Sequence, residues 1–120
     1  MPSRLRTGIF ATALTLGMIP VGLNALTPPR QVQTVYSGVV SDAMCGAKHT
    51  MGGSTPAACV HMCVSGGSDY ALVVGQKVYT LATKDNKTLK TLYNDAGKRV
   101  HVRGTLKGET ITVASVSASR

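Results

Sequence analysis

The alternation of apolar and polar positions along the chain predicts five β-strands. It is clearest where apolar Val100 and Val102 alternate with Arg99, His101 and Arg103, which gives that strand one solvated face. β-Branched residues and tyrosine recur in the other segments, as is usual for a pleated surface that is half buried. The five predicted strands cover residues 32–41, 70–74, 77–82, 100–106 and 110–116.

The strict alternation stops between the third and fourth predicted strands, where a short helix over 84–96 is expected. Leu89 and Leu92 lie three residues apart, Asp85 or Asn86 can cap the helix, and Gly97 follows as a stop signal. Five strands with a helix between the third and fourth match the element order of an OB-fold barrel. The sequence therefore predicts a mainly β domain, a small five-stranded OB-like barrel or sheet, and leaves an open sheet or a small β-sandwich as alternatives.

The predicted core consists of the apolar residues that fall on one face of these elements. They are Val39, Leu72, Val74, Val78, Leu81, Leu89, Leu92, Val100, Val102, Ile111 and Val113.

The N-terminal segment has the pattern of an export signal. Arg4 and Arg6 precede an uncharged stretch over 8–26, and Ala25 offers a small-residue cleavage site. We expect a signal peptide over 1–25, a linker over 26–31 and one domain over 32–120, hence an exported protein, periplasmic or secreted, without a stable membrane span after processing. An uncleaved anchor is the alternative.

Composition narrows the class of protein further. The chain has 120 residues, of which 43% are hydrophobic and only 15% charged, and this argues for one folded domain and against disorder. Five acidic residues leave few candidates for paired-carboxylate catalysis, and none of the familiar hydrolase, zinc-protease or phosphate-binding motifs is present. We expect a protein that is not an enzyme, with no catalytic residue assigned.

The chemistry is concentrated in a helical insertion over 42–67, between the first and second strands. Thr55, Pro56 and the glycines at 66–67 have the order of a helix cap, a first helical residue and a helix stop, and this helix places Cys59 and Cys63 on one face. Cys45 and His49 have the same spacing and would share a face if they form a helical turn. The full pattern is C-x3-H-x9-C-x3-C.

This pattern has three interpretations. In the first, Cys45, His49, Cys59 and Cys63 bind one metal ion, either zinc in a closed tetrahedral site or Cu(I). In the second, Cys45 forms a disulfide with Cys59 or Cys63 and one thiol stays free, as an oxidising compartment favours. In the third, the cysteines are small buried apolar residues.

The other two histidines are weaker candidates for ligands. His61 falls on the opposite side of the helix from the two cysteines, and His101 falls on a polar strand face, so both are expected at the surface. Cys45 and His49 could in principle form a nucleophile pair, but the sequence identifies no orienting group for it.

An ordered string of motifs from about Ser37 to Val116 carries a resemblance to a known group. The strings S-D-A-M-C-G-A-K-H and C-V-H-M-C-V, followed by the strand segments, resemble an uncharacterised family of small exported bacterial proteins. That family has an S-D-x-x-C-G-x-x-H…C-x-x-x-C-V pattern before a small β-domain. The resemblance implies the architecture and the grouping of the three cysteines with His49, and it implies no substrate or reaction.

The sequence thus favours an exported, non-enzymatic binding protein that holds zinc or copper, with either the ion or an envelope component as its partner. A thiol/disulfide protein with a structural disulfide and a free cysteine is one alternative. Another is an OB-like binder of nucleic acid or a different anionic polymer, because the net charge is +8. Few aromatic residues are available for base stacking, which argues against nucleic acid. The basic residues expected to cluster after the third strand are Lys84, Lys87, Lys90, Lys98, Arg99 and Arg103.

Overall fold

The computed structural model describes Gly22, residues 26–48 and residues 54–120. The predicted signal peptide lies outside these ranges except for Gly22, so that prediction is untested, and residues 26–33 are exposed without regular secondary structure. Within the described ranges, no helix is both long enough and apolar enough to cross a membrane. The elements are β1 (Thr34–Asp42), α1 (Pro56–Ser65), β2 (Tyr70–Val74), β3 (Lys77–Ala82), α2 (Asn86–Asn94), β4 (Arg99–Lys107) and β5 (Thr110–Ala118).

The five strands close into a barrel in the order β1-β2-β3-β5-β4, with β4 returning to β1. All neighbours are antiparallel except β3 and β5, which run parallel, with Leu81 opposite Ile111. β5 lies between β3 and β4 in the sheet. Because α2 links β3 to β4, the chain can return along β5 parallel to β3. The prediction of a small mainly β, OB-like fold is confirmed, and the sheet is closed.

Two glycines permit the strands to curve tightly. A Cβ atom added at Gly38 of β1 would collide with the Val73 carbonyl oxygen, and one added at Gly104 of β4 would collide with that of Thr112. Gly104 also follows a shift in the β4–β5 register, where Ala114 of β5 is an extra residue without a partner on β4. Both positions therefore require the absence of a side chain.

The barrel interior is filled by side chains from alternate strand positions and from both helices. Val39 and Val78 were expected in the core, and this is wrong, because the register directs Val40 and Tyr79 inward in their place. Val39 and Val78 each pair with Val73 on the outer surface, where all three are half buried. The innermost members of the core are Val40, Val60, Leu72, Leu92, Val100, Val102 and Ile111, all of them fully buried.

The insertion leaves and re-enters the barrel at one pair of residues. Asp42, the last residue of β1, pairs with Tyr70, the first residue of β2, and the Ala43 amide donates to the Asp69 carbonyl oxygen at 2.9 Å. From there α1 packs against β1 and sends Val60 into the core. The insertion is consequently held at one end of the barrel, and its cysteines face the end of β1.

Candidate metal centre

α1 positions two of the three cysteines. Pro56 occupies its first turn, and the Thr55 side chain caps it by accepting a hydrogen bond from the Ala58 amide at 3.2 Å. Cys59 is fully buried, and Cys63, one turn later on the same face, is half buried. The helix predicted from the cap, proline and glycine signals is confirmed.

A tight turn after β1 positions the third cysteine. Asp42 Oδ1 accepts hydrogen bonds from the amides of Met44 and Cys45, at 3.0 and 2.8 Å. The Ser41 hydroxyl donates to the Gly46 carbonyl oxygen, and Gly46 has a φ of +59°, a conformation that favours glycine. Residues 43–47 form turns and no α-helix. His49 lies outside the described residues, so its predicted role as a ligand is untested.

The two segments bring the three sulfur atoms together. The Cys45 Sγ atom lies 3.6 Å from that of Cys63 and 3.9 Å from that of Cys59. No disulfide is formed, and all three cysteines are free thiols. The structural disulfide of the second interpretation is therefore absent, and Cys45, Cys59 and Cys63 form a thiol cluster, as the first interpretation required.

Asp42 is the fourth member of this cluster. One potential ligand atom each from Asp42, Cys45, Cys59 and Cys63 lies within 4.8 Å of every other, which is close enough for all four to hold one metal ion. Asp42 is fully buried, and its Oδ2 atom has no hydrogen-bond partner among the described residues. A buried carboxylate oxygen without a partner costs free energy, and a cation beside it would remove that cost.

Crowding of the thiols makes them hard to ionise in the absence of a cation. The hydrogen bond with Cys63, and then burial, raise the pKa of Cys45. Burial, and then the contact with Cys45, raise the pKa of Cys59. For Cys63 the hydrogen bond from Cys45 lowers the pKa, but burial and the Asp42 charge outweigh it, so that pKa is also raised. A bound cation would lower these pKa values and so favour the thiolate form of the cysteines.

His61 and His101 lie outside the cysteine cluster. His61 stacks on Tyr93 of α2, with ring centroids 3.9 Å apart, and its Nε2 atom donates to the Tyr93 carbonyl oxygen at 2.8 Å. It is half buried and joins the two helices, where a surface position was expected. His101 lies on the outer face of β4, in agreement with the sequence prediction.

Sequence reasoning missed Asp42 as a member of the cluster. The strand pattern placed it just after the first strand, where an aspartate usually starts a turn, and it does so here through Oδ1. The signal that could have found Asp42 is its spacing of three residues from Cys45 at the end of a strand. A side chain at that position can still face the buried end of the barrel, as that of Asp42 does. The site is therefore a Cys3Asp cluster among the described residues.

Searches of protein-family models, curated proteins and solved structures found no match to this chain.

Proposed function

We propose that this chain is an exported, non-enzymatic protein that binds one zinc ion through Cys45, Cys59, Cys63 and Asp42. The observation that carries the proposal is the thiol cluster with the Asp42 Oδ2 atom beside it, which has no partner within residues 26–48 and 54–120. Three thiolates and one carboxylate complete a four-coordinate set of a kind that zinc accepts.

The sulfur spacing supports a single shared ion. Two sulfurs bound to one tetrahedral zinc at ~2.3 Å lie roughly 3.5–4 Å apart. The two distances from the Cys45 Sγ atom, 3.6 and 3.9 Å, fall in that interval. The thiols thus need little rearrangement to bind one ion.

The carboxylate favours zinc over copper. Cu(I) prefers soft sulfur ligands, and a buried carboxylate would contribute little to its binding. Zinc accepts sulfur and oxygen ligands together, so it satisfies the thiols and the Asp42 Oδ2 atom at once. Asp42 also holds the turn that presents Cys45, which ties ligand and scaffold together.

His49 is the competing fourth ligand. It has the helical spacing from Cys45 that first suggested a Cys3His site, and imidazole is a normal zinc ligand. Asp42 is preferred because it is buried in the cluster and its Oδ2 atom accepts no hydrogen bond from any described residue.

Export and the non-enzymatic role rest on sequence features. The basic start followed by an uncharged stretch is typical of a signal peptide, and the sequence lacks recognisable catalytic motifs. Three free thiols would be prone to oxidation in an exported protein, and a bound metal would protect them.

Zinc titration of the purified, reduced protein tests the proposal, with native mass spectrometry for stoichiometry and a chelator competition for affinity. We expect one zinc per chain and tighter binding than in Cys59→Ser. Asp42→Asn keeps an oxygen for the Met44 and Cys45 amides while removing the charge, and should weaken zinc binding more than tenfold. Asp69→Asn, which removes an exposed carboxylate beside the insertion, is the matched control and should leave affinity unchanged.

The same titration of His49→Ala decides between the two fourth ligands. A large loss in His49→Ala together with none in Asp42→Asn would replace the Cys3Asp assignment with Cys3His. A wild-type protein that stays free of zinc under reducing conditions would overturn the metal-binding function itself.

A further inference from the structure

The outer face of β4 carries a row of basic side chains. Arg99, His101 and Arg103 point outward, while Val100 and Val102 between them are fully buried. Alternate residues of a strand lie roughly 6.6 Å apart, so the row extends for about 13 Å along the barrel. We call these three residues the basic row.

The residues beside the basic row on the flanking strands carry no charge. On β1, Val35, Ser37 and Val39 lie opposite Arg103, His101 and Arg99, respectively. On β5, Ser115 and Ser117 lie opposite Arg103 and His101. The only salt bridge among the described residues joins Lys98 to Asp95, so neither arginine of the row is neutralised by an ion pair there.

A depression of about 580 Å³ adjoins the basic row. It is lined by His101, Ser117, Ala118 and Arg120, so a further arginine borders the same region. On the other side of Ser115, a second cleft contains Lys87 together with Asp85. The Asp85 carboxylate limits the cationic surface in that direction, although Thr88 already donates two hydrogen bonds to it.

The arrangement indicates the shape and chemistry of a ligand. A linear polyanion lying along β4 could contact both arginines and His101 at once, because all three lie on one face of the strand. Arginine binds carboxylates through two parallel hydrogen bonds, and the flanking serines can exchange hydrogen bonds with sugar hydroxyls.

The position of the tyrosines argues against single-stranded nucleic acid as that ligand. Binding of unpaired bases relies on exposed aromatic rings. Tyr36 and Tyr79 pack against the core, Tyr70 is buried, and Tyr93 lies on α2 against His61. None of them belongs to the outer face around the basic row.

We infer that the basic row binds an acidic polysaccharide with carboxylates on successive sugars. The site lies on the barrel wall and uses none of the residues proposed to bind zinc, so the two proposals stand or fall separately.

Binding of polygalacturonate to the purified full chain, measured by calorimetry at low and moderate salt, tests this inference. We expect binding that weakens as salt increases, and at least a tenfold loss of affinity in the Arg99→Gln/Arg103→Gln variant. Both side chains are exposed, so the variant should retain the wild-type circular dichroism spectrum and melting temperature. Lys84→Gln/Lys90→Gln removes the same charge from two exposed lysines elsewhere and should change affinity less than twofold.

Three outcomes would overturn the inference. One is undetectable binding of polygalacturonate to the wild-type chain. Another is an equal loss of affinity in the two double variants, which would show a response to net charge alone. The third is tighter binding of oligothymidylate or of phosphatidylglycerol vesicles than of polygalacturonate, with the same dependence on Arg99 and Arg103.

Discussion

The Sγ atoms of Cys45 and Cys63 lie 3.6 Å apart, one on the turn after β1 and the other near the end of α1. Both side chains are half buried, whereas Cys59, the third thiol, is fully buried. Of the two thiols whose Sγ atoms approach that of Cys45, the nearer one, Cys63, is therefore also the one that an oxidant in solution can reach.

We predict that oxidation of the metal-free protein by glutathione disulfide joins Cys45 to Cys63. The small molecule accepts two electrons and leaves as two thiols, while the protein loses two hydrogens. Peptide mapping by mass spectrometry should find this link in the wild-type chain and in Cys59→Ser, and no such link in Cys63→Ser. A predominant Cys45–Cys59 link in the wild-type chain would contradict the prediction, and prior addition of zinc should slow the reaction if the metal site forms.

Replacement of valine by threonine at neighbouring positions of β1 should lower the stability of the fold more on the inner face of the barrel than on the outer face. Val40 is fully buried, so Val40→Thr buries a hydroxyl among apolar atoms and should lower the free energy of unfolding by about 1–3 kcal/mol. Val39→Thr, on the outer face, should cost less than half as much. Urea denaturation measures both, and equal losses would show that the β1 register is wrong.

The contact between His61 and Tyr93 should stabilise the packing of α1 against α2. His61→Ala removes the ring stack and the hydrogen bond to the Tyr93 carbonyl oxygen, and should cost about 1–2 kcal/mol in thermal or urea unfolding. His61→Phe keeps the stack and should recover part of that loss. If His61→Ala unfolds like the wild type, the helices do not depend on this contact.

The cap of α2 should produce a measurable dependence of stability on pH. Hydrogen bonds from the Thr88 hydroxyl and amide hold the pKa of Asp85 below its ordinary value. A carboxyl with a lowered folded-state pKa stabilises the fold above its unfolded pKa of about 3.9, and that contribution is lost as pH falls through the folded value. We therefore expect Asp85→Ala to melt at a lower temperature than the wild type at pH 7, and the difference to narrow as the pH drops below about 4. A difference that stays constant down to strongly acidic pH would rule out the carboxylate as its source.

Local patterns made most of the fold predictable. The bounds 70–74 and 77–82 agree with β2 and β3, and the cap and stop signals located α1 correctly. Val39 and Val40 show the limit of such patterns, because two adjacent valines give no alternation. Which of the two faces the core depends on the pairing of β1 with β2 and β4. Barrel closure likewise depends on the β3–β5 pairing, which joins segments far apart in the chain.

Local spacing likewise predicted only part of the candidate site, because the rest depends on contacts between distant segments. The i,i+4 spacing identified Cys59 and Cys63 as neighbours, but the approach of Cys45 depends on a turn set by Ser41, Asp42 and Gly46. The Oδ2 atom of Asp42 is a candidate ligand only because tertiary packing buries it where no described residue donates a hydrogen bond to it.

Since Asp42 and Tyr70 face each other across β1 and β2, the segment between them begins and ends at one place on the barrel. Val60 in the core and the contact of His61 with Tyr93 hold its helix there. A short hairpin turn could in principle replace residues 43–69 without altering the order of the strands, although the space filled by Val60 would then need another side chain. Conversely, the segment could be transplanted onto an antiparallel hairpin of another small barrel, provided that the recipient supplies an aspartate at the strand end and a pocket for Val60. The chain thus combines a closed five-stranded barrel with a cysteine-containing insertion that begins and ends at one pair of strand residues.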